Sequence, residues 1–247
     1  MIIARSMSDG WLSNSYVVGD QPGGHGVLID SGGPLEPILE AIQEHRLNIT
    51  HLLLTHHHQD HVVHNAEYVE RFGCGIWGHA EERSGCRDIE HEIGDGDEIV
   101  SGDLSIRAIH TPGHTTGMLA FVVNDQVVFT GDTLFKGTIG GTMAPGHATY
   151  ADLRHSIMEV LLALPREMEA YPGHTDATTI GAEWEENPFV RIWRGLEPEG
   201  EGPCTAFGRP ATLVLRAADY DGGTKCWVRF DEGGLDEIVP GSQVTGD

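Results

Sequence analysis

Apolar residues in the first 190 positions fall into two patterns, separated by polar or glycine-rich breaks. Short continuous or alternating apolar runs predict strands, most of them buried. These runs cover residues 14–18, 27–29, 51–54, 75–78, 104–110, 120–123, 127–130 and 168–171. Between several of them the apolar residues recur at helical spacing instead. Strands that alternate with helices along a chain are typical of an α/β protein.

Helical spacing is clearest in two places. Pro34 suits the first turn of a helix in which Leu35, Ile38, Leu39 and Ile42 share one face. Thr149 and Asp152 resemble a capping box, and the helix that they begin is expected to end at Pro165. Shorter helices are predicted over residues 65–72 and 178–186. Residues 80–98 are predicted to be a surface loop with one helical turn, and the glycine-rich residues 136–148 to be a second loop.

The pattern changes after residue 195. Residues 196–210 are rich in proline, glycine and acidic residues, which predicts a linker between a domain of residues 1–195 and a C-terminal unit. Residues 211–218, 225–230 and 235–239 predict three strands within that unit, residues 211–247, similar in pattern to SH3 or Tudor-like β modules. About 40 residues are marginal for independent folding, so we expect the module to dock on the main domain or on another subunit.

Candidate chemistry is concentrated in the segment Thr55-His56-His57-His58-Gln59-Asp60-His61, directly after an apolar run. Alternate residues of an extended segment point the same way, so His56 and His58 can hold one ion. Asp60 and His61 then face a different direction, towards a second ion. Imidazole and carboxylate groups suit zinc, with iron and manganese as alternatives.

This segment resembles the His-x-His-x-Asp-His signature of the metallo-β-lactamase superfamily. Three downstream segments resemble that family's remaining motifs, in the family's order. They are Thr111-Pro112-Gly113-His114, Phe129-Thr130-Gly131-Asp132 and Tyr171-Pro172-Gly173-His174. The flanking residues are most similar to the glyoxalase II-like branch, the hydroxyacylglutathione hydrolases.

The resemblance implies an αββα sandwich that holds two divalent metal ions. It implies three residue groups: His56, His58 and His114 for one ion, Asp60, His61 and His174 for the other, and Asp132 as the bridge. It also implies that Asp30 supports the ligands from outside. Asp60 and Asp132 would be the catalytic carboxylates in the hydrolysis of an S-acyl thiol by a metal-bridging hydroxide. Because all these residues precede position 175, we expect the C-terminal module to be an appendage to the site.

The ligand set also fits other reactions of the same superfamily. An iron-dependent persulfide dioxygenase is the main alternative, and hydrolysis of a lactone or another ester is a further one. Lys136 and His147, in the glycine-rich loop, are candidate substrate contacts. Two departures from glyoxalase II leave the thiol part of the substrate open. Gly141 stands where relatives often have a basic residue, and a β module replaces their helical C-terminal segment.

The amino-acid composition limits the classes of partner that the protein is expected to bind. A formal net charge of −23 argues against nucleic acid or an anionic membrane as a partner, since basic surfaces capture both. It also argues against a nucleic-acid-processing enzyme, and the intact ligand set argues against a non-catalytic binding protein. The four scattered cysteines suit free thiols in a reducing compartment. With no signal peptide or membrane span in the sequence, we expect a cytoplasmic protein that acts on a small molecule, and a homo-oligomer is left open.

Overall fold

The computed structural model describes residues 1–246, which form six α-helices and four β-sheets, one of them a two-stranded hairpin. The first sheet has six strands in sequential order. They are β1 (Ile2–Met7), β2 (Asn14–Gly19), β3 (His25–Ile29), β4 (Asn48–Leu53), β5 (Gly75–Gly78) and β6 (His91–Glu92). Strands β1 to β3 pair antiparallel, whereas β3 to β6 pair parallel. The sheet therefore places the ends of β3 and β4 at the same edge.

The second sheet is built from the next part of the chain. Its strands are β7 (Glu98–Ser101), β8 (Leu104–His110), β9 (Leu119–Val123), β10 (Val127–Gly131), β13 (Glu169–Pro172) and β14 (Thr178–Thr179). Between β10 and β13 the chain forms a separate short hairpin of β11 (Leu134–Phe135) and β12 (Thr138–Ile139). Their order across the sheet is β14-β13-β10-β9-β8-β7. The parallel pairing of β10 with β13 brings the ends of these two strands together.

Helices cover the outer faces of both sheets. They are α1 (Leu35–His45), α2 (Gln59–Val62), α3 (Asn65–Phe72), α4 (Tyr150–His155), α5 (Ile180–Glu186) and α6 (Pro188–Trp193). One apolar core, with Val18, Leu53 and Phe121 among its members, fills the space between the sheets. A second core joins the first sheet to α1 and α3, and a third joins the second sheet to α4, α5 and α6. The predicted αββα sandwich is confirmed.

Several local predictions need correction. Residues 2–7 form a strand that the sequence interpretation missed, and residues 80–98 contain the short strand β6 and the first residue of β7 besides the predicted turn. The capping box of Thr149 and Asp152 is present, but after His155 the helix continues as a π-turn and a 3₁₀-turn rather than as an α-helix. Asn187 ends α5, in agreement with the helix predicted over residues 178–186, but it also begins α6, a helix that the sequence interpretation missed.

The C-terminal sheet has five antiparallel strands rather than three. They are β15 (Gly202–Ala206), β16 (Arg209–Ala218), β17 (Thr224–Phe230), β18 (Asp236–Pro240) and β19 (Val244–Thr245), in the order β18-β17-β16-β15-β19. The prediction of a linker over residues 196–210 is therefore wrong, because β15 lies within it and pairs with β16. We call residues 202–245 the β module. Its likeness to SH3 or Tudor-like domains stays a prediction.

The β module packs on the sandwich. Val214, Trp227 and Ile238 belong to the same buried core as α4, α5 and α6, and the module has a small core of its own around Phe230. Docking on the main domain is thus the arrangement that the structure adopts. All four cysteines are buried with free thiols. Within residues 1–246, the helices are too short or too polar for any of them to cross a membrane.

Candidate metal centre

The candidate ligands lie in loops at the ends of strands. His56, His58, Asp60 and His61 follow β4, the loop after β8 carries His114, and Asp132 and His174 come directly after the neighbouring strands β10 and β13. The sandwich brings these four loops together at one edge. All seven candidate ligands meet there, although they are spread over more than 100 positions of the chain.

The first ligand group consists of three histidines. One nitrogen from each of His56, His58 and His114 lies within 4.8 Å of the other two. His114 Nε2 and His58 Nδ1 are 2.9 Å apart. Three imidazole nitrogens at this separation could hold one metal ion between them.

The second group combines a carboxylate with two histidines. Asp60 Oδ2 lies 3.5 Å from His61 Nε2 and 3.4 Å from His174 Nε2, and the two nitrogens are 3.4 Å apart. The group is buried except for Asp60, whose side chain is 22% exposed. Asp60 is therefore its most accessible member.

Asp132 lies between the two groups. Its Oδ2 is 3.5 Å from His114 Nε2 in the first group and 3.2 Å from His174 Nε2 in the second. Its Oδ1 is 3.4 Å from His61 Nε2. One carboxylate thus reaches ligands of both groups, as a bridging ligand must.

Each histidine is oriented from outside the centre. The ring nitrogen that points away from the other ligands donates to an oxygen in every case. These pairs are His56 Nδ1 with the Thr55 hydroxyl (3.0 Å), His58 Nε2 with the Pro145 carbonyl (2.9 Å), His61 Nδ1 with Asp30 Oδ2 (2.9 Å), His114 Nδ1 with the Gly141 carbonyl (2.9 Å) and His174 Nδ1 with the Trp11 carbonyl (3.0 Å). Such bonds fix the orientation of each ring and turn its other nitrogen towards the centre, where it can bind a cation.

Asp30 occupies the supporting position that the resemblance implied. Its Oδ1 accepts from the Thr55 backbone N–H at 2.8 Å, and its Oδ2 accepts from the Thr55 hydroxyl at 2.8 Å as well as from His61. Asp30 also lies within 4.8 Å of His56 and His61 as a candidate third group. Because both its oxygens are engaged by these donors, we assign it an orienting role rather than a ligand role.

Two buried atoms indicate that the centre is built for cations. Within residues 1–246, His56 Nε2 and Asp132 Oδ1 are buried and have no hydrogen-bond partner. Unpaired polar atoms in a protein interior are costly, so each of them calls for a ligand. A pocket lined by inward-facing imidazole nitrogens and carboxylate oxygens fits divalent metal ions.

Burial and neighbouring charges set the protonation of the metal-free centre. Burial lowers the pKa of His114 to about 4 and holds the pKa of His56 well below its usual range. Burial also disfavours the charged form of His61, but the carboxylates of Asp132, Asp30 and Asp60 outweigh this effect and raise its pKa to about 9. His61 thus carries a proton near neutral pH until a cation replaces it.

His57 points away from the centre, as its alternation with His56 and His58 predicts. Its backbone N–H donates to the Glu82 carboxylate at 2.8 Å, and its Nδ1 is bonded to the same carboxylate. Glu82 is buried and also accepts from the Gly117 N–H at 2.8 Å. Glu82 therefore ties the His57 backbone to the loop that carries His114.

The two candidate substrate residues lie at the surface. Lys136 has a side chain that is 59% exposed, and its ammonium nitrogen is 4.0 Å from Asp176 Oδ2. His147 is exposed and its Nδ1 bonds to the neighbouring Ala148 carbonyl at 2.7 Å. Neither of them contacts a candidate metal ligand, and their substrate roles stay predictions.

The sequence interpretation missed Tyr220 of the β module. Its ring stacks on His174 with centroids 4.3 Å apart and planes inclined by 16°. Burial, together with the charge of Asp132, raises the pKa of Tyr220 above its ordinary value, so the phenol is protonated. The expectation that the module is only an appendage to the site is wrong, because one of its side chains packs on a candidate ligand. No local motif indicated this contact, since Tyr220 follows His174 by 46 residues.

Comparison with known sequences agrees with this geometry. Residues 8–174 match the profile of the Metallo-beta-lactamase superfamily. An uncharacterized protein of Mycobacterium bovis is 35% identical over 207 residues, which cover 72% of this chain and 92% of the relative. A hydroxyacylglutathione hydrolase of Rhizobium johnstonii is 33% identical over 207 residues, which cover 67% of this chain and 79% of the relative.

Solved structures show the same fold. The B3 metallo-beta-lactamase BLEG-1 superposes with a TM-score of 0.70 at 26% identity, over 76% of this chain and 99% of the other. ETHE1 from Myxococcus xanthus gives a TM-score of 0.67 at 29% identity, over 80% and 92%. TTHA1623, solved in a di-iron-bound form, gives 0.62 at 31% identity, over 74% and 98%.

Proposed function

Because the chain belongs to the metallo-β-lactamase superfamily, we propose that it is a dinuclear metal-dependent hydrolase that cleaves S-acyl thioesters, as glyoxalase II does. The observation that carries the proposal is the pair of three-residue ligand groups with Asp132 between them. The similarity to hydroxyacylglutathione hydrolases supports the substrate class.

Two bound divalent ions would supply a hydroxide nucleophile near neutral pH and positive charge for the substrate carbonyl. The residues of the chain hold that chemistry in place. His56, His58 and His114 would bind one ion, Asp60, His61 and His174 the other, and Asp132 both. Asp30 keeps the His61 tautomer that presents Nε2 to the centre.

A thioester suits this site because its leaving group is a thiolate. A thiol has an ordinary pKa of about 8.5, so the departing sulfur needs little help from a general acid. A reaction of this kind suits the groups that lie beyond the metal ligands, which include backbone carbonyls, Tyr220 and the Glu82 carboxylate. Glu82 is already bonded to His57. Zinc is the ion that we propose, with iron and manganese as alternatives.

The second candidate is an iron-dependent persulfide dioxygenase. The observation that favours it is the similarity to ETHE1 of Myxococcus xanthus, which extends over 80% of this chain. Such an enzyme would use one iron ion per chain and would consume oxygen. Hydrolysis of a lactone or another ester is a weaker alternative that uses the same two ions.

A panel of metals and substrates tests these proposals. Protein loaded separately with zinc, iron and manganese is assayed with S-lactoylglutathione, a lactone and glutathione persulfide, and its metal content is measured. We expect two ions per chain and thioester hydrolysis without oxygen uptake. One ion per chain, with oxygen consumption only in the iron-loaded sample, would establish the dioxygenase instead.

A further inference from the structure

Tyr220 brings the β module to the metal centre. It lies in the turn between β16 and β17, and its ring is stacked on His174. The edge of the same ring meets Phe135 at a centroid distance of 5.0 Å and an angle of 63°. Two aromatic contacts of this kind fix the position of the ring. Tyr220 therefore forms a wall beside the second ligand group.

A buried ion pair holds the turn in place. Asp219 Oδ2 is 3.1 Å from the Lys225 ammonium nitrogen, and both side chains are only 8% exposed. Asp219 Oδ1 also accepts from the backbone N–H of Tyr220 at 2.9 Å. Lys225 lies over the Tyr220 ring, with its nitrogen 5.4 Å from the ring centroid. A charged pair enclosed in this way orders the backbone on both sides of Tyr220.

The module is also bonded to the loop that carries Gly141. The backbone N–H of Thr142 donates to the Ile238 carbonyl at 2.9 Å, and the N–H of Ile238 donates to the Thr142 hydroxyl at 2.8 Å. Gly141, the preceding residue, orients His114 through its carbonyl. The β module thus contacts the surroundings of both ligand groups.

The hydroxyl of Tyr220 makes no hydrogen bond within the part of the chain that the structure describes, and the side chain is half-buried rather than enclosed. By contrast, the hydroxyl of Tyr16 donates to the Pro172 carbonyl, and that of Tyr171 donates to Glu169. Tyr220 thus carries a donor without a partner on a ring that stacks on a candidate metal ligand.

We propose that Tyr220 is a substrate-contacting residue whose hydroxyl donates a hydrogen bond to the acyl oxygen of the substrate, so that the β module completes the active site. This inference rests on the proposed hydrolase function. A donor in this position stabilises the negative charge that develops on the carbonyl oxygen during hydrolysis. The acyl oxygen is common to thioesters, lactones and the carboxylate product, so the contact does not depend on the thiol.

Tyr220→Phe is the direct test, because it removes the hydroxyl and keeps the ring on His174. We expect two metal ions per chain and an unchanged melting temperature. The value of kcat/KM for S-lactoylglutathione should fall by about 10- to 100-fold, because the variant loses one hydrogen bond to a developing charge. Lactate, titrated into cobalt-substituted protein and followed by the cobalt absorption spectrum, should bind about fivefold more weakly, as for loss of one hydrogen bond.

Tyr68→Phe is the matched control. The Tyr68 hydroxyl also lacks a partner among residues 1–246, but it is fully buried in the core between the first sheet and its helices. Its removal should leave the kinetics, the lactate affinity and the cobalt spectrum unchanged. A Tyr220→Phe variant with the kinetics and lactate affinity of the unmodified protein would overturn the proposal.

The experiments distinguish an error in the role of Tyr220 from an error in the proposed thioesterase function. If the unmodified protein hydrolyses a lactone but no thioester, the proposed substrate class is wrong, and the two variants are then compared on the lactone. The lactate titration measures binding and needs no catalysis, so it tests the Tyr220 contact even if neither substrate is hydrolysed. Loss of metal from Tyr220→Phe, at an unchanged melting temperature, would instead overturn the substrate role and make Tyr220 a support for His174.

Discussion

His57 stands between two candidate ligands in the chain, yet its side chain belongs to another part of the structure. Alternation of side chains directs His56 and His58 to the centre and His57 to Glu82. The three residues are identical in type, so only the direction of each side chain distinguishes the two candidate ligands from His57.

Asp132→Ala and His57→Gln should therefore have very different effects. Loss of the bridging carboxylate should release at least one ion and lower activity by more than about 100-fold, since even the outer partners of metal ligands are typically worth 10–100-fold. His57→Gln keeps a donor for Glu82 and should retain both ions. Metal content and kcat/KM of the two purified variants are the measurements, and equal metal loss in both would show that the assigned register is wrong.

Protonation of His61 predicts that metal uptake releases a proton. The pKa of about 9 lies above neutral pH, so the metal-free centre holds a proton on His61 at pH 7 that a cation must displace. Metal affinity should therefore rise as the pH rises from 7 to 9. Calorimetry in buffers of different ionisation enthalpy should find about one proton released at pH 7 and fewer above pH 9. A proton count that does not change over this range would contradict the assignment.

At the scale of elements, a capping residue explains a helix that sequence patterns missed. The helix predicted over residues 178–186 ends at Asn187, but the Oδ1 of Asn187 also accepts from the N–H of Phe189 at 3.1 Å and begins α6. Its Nδ2 donates to Glu183 at 2.8 Å and to the Thr138 carbonyl at 3.2 Å. One buried side chain thus joins α5, α6 and the hairpin after Asp132.

Asn187→Ala should cost about 2–4 kcal/mol, because it removes a cap and leaves buried groups without partners. Thr149→Ala removes the exposed cap of α4 and should cost about 1 kcal/mol. Urea unfolding of the two variants gives both values. Similar costs would mean that the buried contacts of Asn187 contribute little.

Sequence patterns predicted the elements that bury a continuous apolar face and the residues that carry recognisable metal chemistry. The strands that end before His56, Asp132 and His174 belong to this class. Sequence patterns missed the elements and side chains whose positions depend on contacts with distant parts of the chain. The edge strand Ile2–Met7 is only partly buried, and β15 was hidden by the prolines and glycines of residues 196–210. Tyr220 was missed for the same reason, because only the packing of the module places it on His174.

For the whole molecule, the β module and the sandwich share a core. Trp227 is 3% exposed and packs between the two, with its ring centroid 5.2 Å from that of Tyr150 and 6.2 Å from that of Trp193. Its Nε1 donates to Asp236 at 2.8 Å. A side chain shared in this way should make the two parts unfold together.

Trp227→Ala tests that coupling. A buried tryptophan replaced by alanine typically costs about 3–5 kcal/mol, and here the loss falls on both parts of the molecule. Calorimetry should record one unfolding transition for the unmodified protein, and a lower midpoint for the variant. Two separate transitions in the unmodified protein would show that the module folds independently of the sandwich.

Hydrogen exchange at the bonds between Thr142 and Ile238 would show how often the β module and the sandwich separate. A backbone N–H exchanges its hydrogen with solvent only when its bond opens, so the Thr142 amide can exchange only after the strand that carries Ile238 has moved away. Deuterium uptake at residue 142 would therefore measure how often the β module lifts from the sandwich. If the module and the loop open as one unit, Thr142 and Ile238 should exchange at matching rates, and lactate at the metals should slow both.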